Sequence, residues 1–235
     1  MNAFDLAILR YVNQFPQHSW LLDKGMGFVS HNNLFKGGIF TMLLWWAWFK
    51  QEKRPSHHRA QIISTLLSGV VAIAVARALA LLLPFRVRPL QEASVHFVLP
   101  YGRMPDWFEG WSSFPSDHAV LFFTLATGLF LLHRTIGIFA LVYSLVFIAA
   151  PRVYVGIHYP TDILAGALIG IVIALLGNHY LVKNKHIRSL VTLSYVKPEL
   201  FYPVFFLFTY QIADLFDSSR ELVRGMFKLI QGMIA

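Results

Sequence analysis

Six stretches of this chain are apolar over lengths near that needed to cross a bilayer: Phe35–Phe49, Ala60–Pro84, Ser116–Leu132, Ile136–Ala150, Pro160–Val182 and Leu200–Phe216. The hydrocarbon core is about 30 Å thick, and a helix needs about 20 residues to cross it. Several runs are apolar on every face, not along one stripe, as in a helix with no water beside it. A large soluble helical core is the alternative. Composition argues against it, because only 14% of residues are charged, against about 25% in soluble domains. The expectation is an all-α polytopic membrane protein of about six transmembrane helices. It is read as a single membrane-embedded domain over residues 1–235, with interfacial helices in 1–33, core spans in 34–182, and a basic connector, sixth span and amphipathic tail in 183–235.

The ends read as surface helices. Phe4, Ala7, Ile8, Tyr11 and Val12 recur at helical spacing with Asp5, Arg10 and Asn13 off the stripe, and Pro16 ends the run. Leu21, Leu22, Met26 and Val29 form a second stripe, and Leu222, Val223, Met226, Phe227 and Ile230 a third near the C-terminus. Such helices lie in the membrane interface or pack on the bundle. Trp45, Trp46 and Trp48, and in the 85–115 loop Trp107 and Trp111, suit the headgroup level. The N-terminus lacks signal-peptide shape, because Asp5, Arg10 and Gln14 interrupt it.

The formal charge of +8 sits mainly in short connectors: Lys50–Arg59, His133–Arg134 and Lys183–Lys197. Alternation puts all three on one side, and the positive-inside rule makes that side cytoplasmic. This pattern points to topology and anionic headgroups, not to nucleic acid. Loops 85–115 and 151–160 then share the extracytoplasmic side. There is no cysteine, so disulfides and thiolate metal sites are excluded.

Three polar clusters fall on that shared side. Arg86 and Arg88 lie between Pro84 and Pro89; arginine binds phosphate bidentately and stays charged, although an isolated pair also suits headgroup snorkelling. Ser116 reads as an N-cap with Asp117 and His118 in the first turn, where free N–H groups and the helix dipole favour an anion. Arg152, His158 and Asp162 are spaced by six and by four, with Pro160 suited to a helix start. Asp162 can reach back to the imidazole, fix its tautomer and leave the other nitrogen to attack. Each cluster alone has a structural explanation; three on one face point to a phosphate site.

These residues resemble the three motifs of the type 2 phosphatidic acid phosphatase superfamily, K-x6-R-P, P-S-G-H and S-R-x5-H-x3-D. Arg88–Pro89 matches the end of the first, Pro115, Ser116 and His118 the second, and Arg152, His158 and Asp162 the third. The family lysine falls on Leu81, where Arg77 or Arg86 could substitute; the family glycine is Asp117 and the family serine is Pro151. The P-S-D-H variant is similar to bacterial undecaprenyl-diphosphate phosphatases of this superfamily. The resemblance implies that His158 attacks phosphorus to form a phosphohistidine, that Asp162 supports the imidazolium, and that His118 protonates the leaving oxygen and later activates water. Arg88, Arg152, Ser116 and backbone near Asp117, with Arg77 or Arg86, would hold the phosphoryl oxygens. No metal or other cofactor is implied. The expected partners are the bilayer and a lipid phosphate, preferably undecaprenyl diphosphate, at the extracytoplasmic face of the inner (plasma) membrane. The alternatives are a phosphatidylglycerophosphate or phosphatidic acid phosphatase, and a transporter or binder that keeps only the phosphate site.

Overall fold

The computed structural model describes residues 2–102 and 110–234, with side chains of the last helix described as far as Phe227. Trp107 lies outside the described residues. The described chain is helical without strands: α1 (Ala3–Val12), α2 (Trp20–His31), α3 (Leu34–Phe49), α4 (Pro55–Leu82), α5 (Asp117–Leu132), α6 (Arg134–Tyr154), α7 (Pro160–Leu181), α8 (Lys185–Val196), α9 (Pro198–Ala213) and α10 (Asp217–Ile234). By length and composition, α4, α6 and α7 can each cross a membrane, and α3 and α5 are shorter apolar helices. The protein is therefore a multi-pass membrane protein. Helix α9, expected as the sixth span, has 16 residues with Pro203 inside it, and the count of six does not follow from helix lengths.

Helices α4, α5 and α7 pack together at the centre. Gly166 and Gly170 of α7 make this possible. A Cβ on Gly170 would lie 2.4 Å from the Val120 carbonyl oxygen, and one on Gly166 would lie 2.8 Å from that of Ser116. The close approach lets the Thr124 hydroxyl donate across to the Gly170 carbonyl at 3.1 Å. Small residues are what permit such backbone proximity in membranes. The opposite face of α7 exposes Leu164, Leu168, Val172 and Leu175, as lipid contact requires. The same hydrophobic core that holds Leu66 and Leu125 extends to Trp48, Phe201 and Phe205, with Trp48 and Phe201 stacked at 5.3 Å.

Three local expectations change. The fourth span does not stop at Pro151. A π-helical stretch, Ser144–Ala149, precedes that proline, and α6 resumes after it through Tyr154. Pro151 thus stands at the start of a restarted helix, where its missing N–H costs little. The basic connector after α7 is itself helix α8, which buries Ile187 and Val191. In α1 the stripe is inverted: Phe4 and Tyr11 are exposed, while Asp5 and Leu9 are fully buried. A buried carboxylate needs a partner, and that partner lies in the site below.

Candidate active site

The three polar clusters meet at one end of the bundle. Backbone hydrogen bonds join them: the Leu90 N–H donates to the Gly156 carbonyl at 2.9 Å, that of Ser113 to Arg86 at 2.9 Å, and that of Ser116 to Asp162 at 3.3 Å. Gly156 makes the turn before His158 with φ of 75°, a left-handed conformation that only glycine adopts cheaply. The turn separates Arg152, in the last turn of α6, from His158 at the entrance to α7. Between them opens a cavity of about 740 Å³ lined by Arg77, Arg88, Asp117, His118, Arg152 and His158, among others.

His158 is 4% exposed. Its Nδ1 lies 2.8 Å from the Ser113 carbonyl oxygen. A carbonyl can only accept, so Nδ1 carries the proton and Nε2 is left with its lone pair. The expected Asp162–imidazole hydrogen bond is replaced by this one, since Asp162 Oδ2 is 3.7 Å from Nδ1. Asp162 is instead committed to its surroundings. Its Oδ2 accepts from the Tyr159 N–H at 2.8 Å and from the Ser113 hydroxyl, and its Oδ1 from Arg86 at 2.5 Å. The carboxylate therefore fixes Ser113 and, through it, the carbonyl that orients His158. Burial lowers the His158 pKa below its ordinary value, with the Asp162 carboxylate opposing. The imidazole is neutral near pH 7, the form that can attack.

His118 sits at the N-terminus of α5. Its Nδ1 lies 2.9 Å from Asp117 Oδ1, and the other oxygen of Asp117 accepts from Arg77 at 2.5 Å. Asp117 was expected among the phosphate-binding groups; its carboxylate is spent on orienting His118 and pairing with Arg77. Ser116 caps α5 as expected, accepting from the Ala119 N–H at 3.4 Å. It is fully buried and does not line the cavity, so the phosphate role read for it has no geometric support.

Arg88 and Arg152 are 6% and 1% exposed. Arg88 Nη1 donates to the Ile157 carbonyl at 2.7 Å, and Arg152 donates to the Ile148 and Ser30 carbonyls at 3.1 and 3.2 Å. Both guanidinium groups donate to backbone carbonyls while lining the cavity, and arginine is suited to bidentate binding of an anion there. Burial lowers Arg88 to about 10, still charged at neutral pH. Arg86 departs from the expectation. It is absent from the cavity wall and bonds Asp162 at 2.5 Å, Asp5 at 2.7 Å and Thr161 at 3.0 Å. It lies over the Tyr159 ring, 4.0 Å from the centroid. Asp5 completes this network by accepting from the Thr161 N–H and hydroxyl at 2.9 and 2.6 Å.

Sequence reasoning missed Asp5, Ser113 and Thr161, which support the site, and also the position of α10. Asp217, Arg220, Glu221 and Arg224 line the cavity from that helix, and Arg224 lies over the Trp111 ring, as Arg77 does. Leu222, Val223, Met226 and Phe227 are exposed on the same helix. The helical charge pattern in 217–224 was the available signal.

Residues 60–186 match the family profile described as PAP2 superfamily. The chain is 44% identical over 64 residues to the bacitracin transport permease protein BcrC of Bacillus licheniformis, covering 27% of this chain and 31% of that protein. It thus spans about a third of that relative's length. Against the undecaprenyl-diphosphatase BcrC of Bacillus subtilis (strain 168) it is 25% identical over 171 residues, 72% of this chain and 80% of that one. The crystal structure of Aquifex aeolicus LpxE has a TM-score of 0.52 at 24% identity, covering 76% of this chain and 97% of that one. That of a PAP2-type phosphatidylglycerolphosphate phosphatase from Bacillus subtilis also gives 0.52, at 20% identity, covering 76% and 84%.

Proposed function

This chain belongs to the PAP2 superfamily, and from that premise we propose that it is a membrane lipid phosphatase that hydrolyses undecaprenyl diphosphate to the monophosphate through a phosphohistidine on His158. The observation that carries the reading is the Ser113 carbonyl on His158 Nδ1 at 2.8 Å. It dictates which nitrogen is nucleophilic, and that histidine shares a cavity wall with Arg88 and Arg152.

His158 Nε2 attacks the terminal phosphorus. The bond from phosphorus to the bridging oxygen breaks, and undecaprenyl phosphate leaves with a proton from His118. Asp117 holds His118 by Nδ1, as a positioned general acid requires. Arg88 and Arg152 take the charge that spreads over the phosphoryl oxygens, which is where catalysis of phosphoryl transfer mainly resides. Asp162, 3.7 Å from Nδ1, opposes the positive charge that the ring gains on phosphorylation. Water then attacks the phosphohistidine, His118 takes its proton, and inorganic phosphate leaves. The scheme uses no metal.

The choice of a diphosphate rests on the relative named as an undecaprenyl-diphosphatase, which aligns over most of both chains. One membrane domain carries the reaction at the extracytoplasmic face of the inner membrane, since the basic connectors lie at the end opposite the clusters by alternation. The test is phosphate release by purified protein from undecaprenyl diphosphate, phosphatidylglycerophosphate, phosphatidic acid and a soluble ester, with and without EDTA. Fastest turnover of undecaprenyl diphosphate, unchanged by EDTA, is expected. A preference for another lipid overturns the substrate, and loss with EDTA overturns the metal-free scheme.

A further inference from the structure

Leu81, where the first motif would have lysine, is 85% exposed. It faces away from the cavity and supplies no cation. The two arginines that could replace it are engaged: Arg77 with Asp117, and Arg86 with Asp5 and Asp162. Another cation lines the cavity from outside the family-matched segment. Lys36 is only 6% exposed, and among the described residues it forms no ion pair and no side-chain hydrogen bond. Arg152 lines the same cavity. Asp117, Asp217 and Glu221 line the same cavity, but none forms an ion pair with Lys36 among the described residues, and a buried ammonium without a direct partner is costly. A phosphate beside it would supply that partner.

The backbone around Lys36 is built to hold it there. Residues Leu34–Gly38 form a π-helical turn at the start of α3, a feature that recurs at functional sites. Its neighbours are pinned on three sides. Asn33 donates to Asp214 at 2.5 Å, the Phe35 carbonyl accepts from the Tyr143 hydroxyl at 2.7 Å, and a Cβ on Gly37 would lie 2.1 Å from the Ala213 carbonyl oxygen. No residue but glycine fits at 37 without moving α9. These contacts set the register that turns Lys36 inward.

We propose that Lys36 is a phosphate-binding residue of this site, its ammonium donating to an oxygen of the phosphoryl group held by Arg88 and Arg152. This rests on the phosphatase reading above. A lysine on a flexible stem acts as a point charge, so it can follow the oxygens as phosphorus moves from leaving group to His158.

The test compares wild type with Lys36→Met and Lys36→Arg, purified in detergent. Two readouts are taken: inhibition of soluble-ester hydrolysis by inorganic phosphate, and the rise in Tm on adding inorganic phosphate. Removing one charge-assisted contact should weaken phosphate about 10- to 100-fold in Lys36→Met. Lys36→Arg should restore most of it. Should the Met variant not accumulate, Lys36→Gln carries the same comparison. Met or Gln variants that bind phosphate as the wild type does overturn the proposal, as does a wild type that binds no phosphate. A wild type that binds phosphate but hydrolyses no phosphate ester sinks the phosphatase reading instead, and the Tm readout still decides Lys36.

Discussion

Replacing Arg86 by Met should damage the fold far more than phosphate binding. Its guanidinium is the shared counter-ion of two fully buried carboxylates, bonding Asp162 at 2.5 Å and Asp5 at 2.7 Å. Methionine fills similar volume but leaves both carboxylates without their cation. Breaking a buried pair from one side costs about 3–5 kcal/mol, a large share of a total stability of about 5–15 kcal/mol. For a chain of this size that is a fall of about 6–20 °C in Tm. The assay is thermal unfolding of the purified protein in detergent beside inhibition by inorganic phosphate. The phosphate inhibition constant should stay within about twofold, since the lost contacts are structural. Adding Asp5→Asn removes one orphaned charge and should recover part of the loss, with a coupling of about 0.5–3 kcal/mol. Unchanged Tm with weakened phosphate binding would refute the reasoning and make Arg86 a phosphate ligand.

Three further outcomes follow from the geometry. Asp117→Asn removes the carboxylate between His118 and Arg77 and should lower kcat about 100-fold with little change in phosphate inhibition; undiminished kcat would show that His118 needs no orienting group. Because burial holds the His158 pKa down, the neutral imidazole survives as pH falls. The acid limb of kcat/KM should therefore lie below about pH 6.5, and a limb above that value would contradict the neutral nucleophile. Gly170→Ala places a Cβ 2.4 Å from the Val120 carbonyl oxygen. It should cost about 1–3 kcal/mol by overpacking and lower activity by separating α5, which carries His118, from α7. Unaltered stability and turnover would show that the helices can yield there.

The apolar helices, though not the number that span, were legible because lipid leaves a dense signal: long apolar runs, basic connectors and proline or serine at helix starts. The third polar cluster was legible as a cluster too. Arg152, His158 and Asp162 lie within one turn of chain, and their spacing survives folding as contact with one small region. What supports them was not. Asp5 looked like the polar side of an interfacial helix, and only Arg86 and Thr161, brought over from distant segments, show why a carboxylate is buried there. The Ser113 carbonyl is a backbone group and carries no residue signature. Arg86 and Arg88 are two residues apart and chemically alike, yet one binds carboxylates and the other faces the cavity. Pro151 read as a stop because the π-helical turn before it leaves no mark in hydrophobic periodicity. Only the apolar stripe of α10 was read from the sequence, whereas its acidic and basic residues line the cavity.

The central claim is that His158 becomes covalently phosphorylated, and rapid-quench labelling tests it most directly. Undecaprenyl diphosphate carrying a radiolabelled terminal phosphate is mixed with enzyme for milliseconds and quenched in alkali, which preserves phosphohistidine. The label should map to the peptide containing His158, and the Asp117→Asn variant should carry it as well. Label on His118, or no label in enzyme that is turning over, would contradict the account.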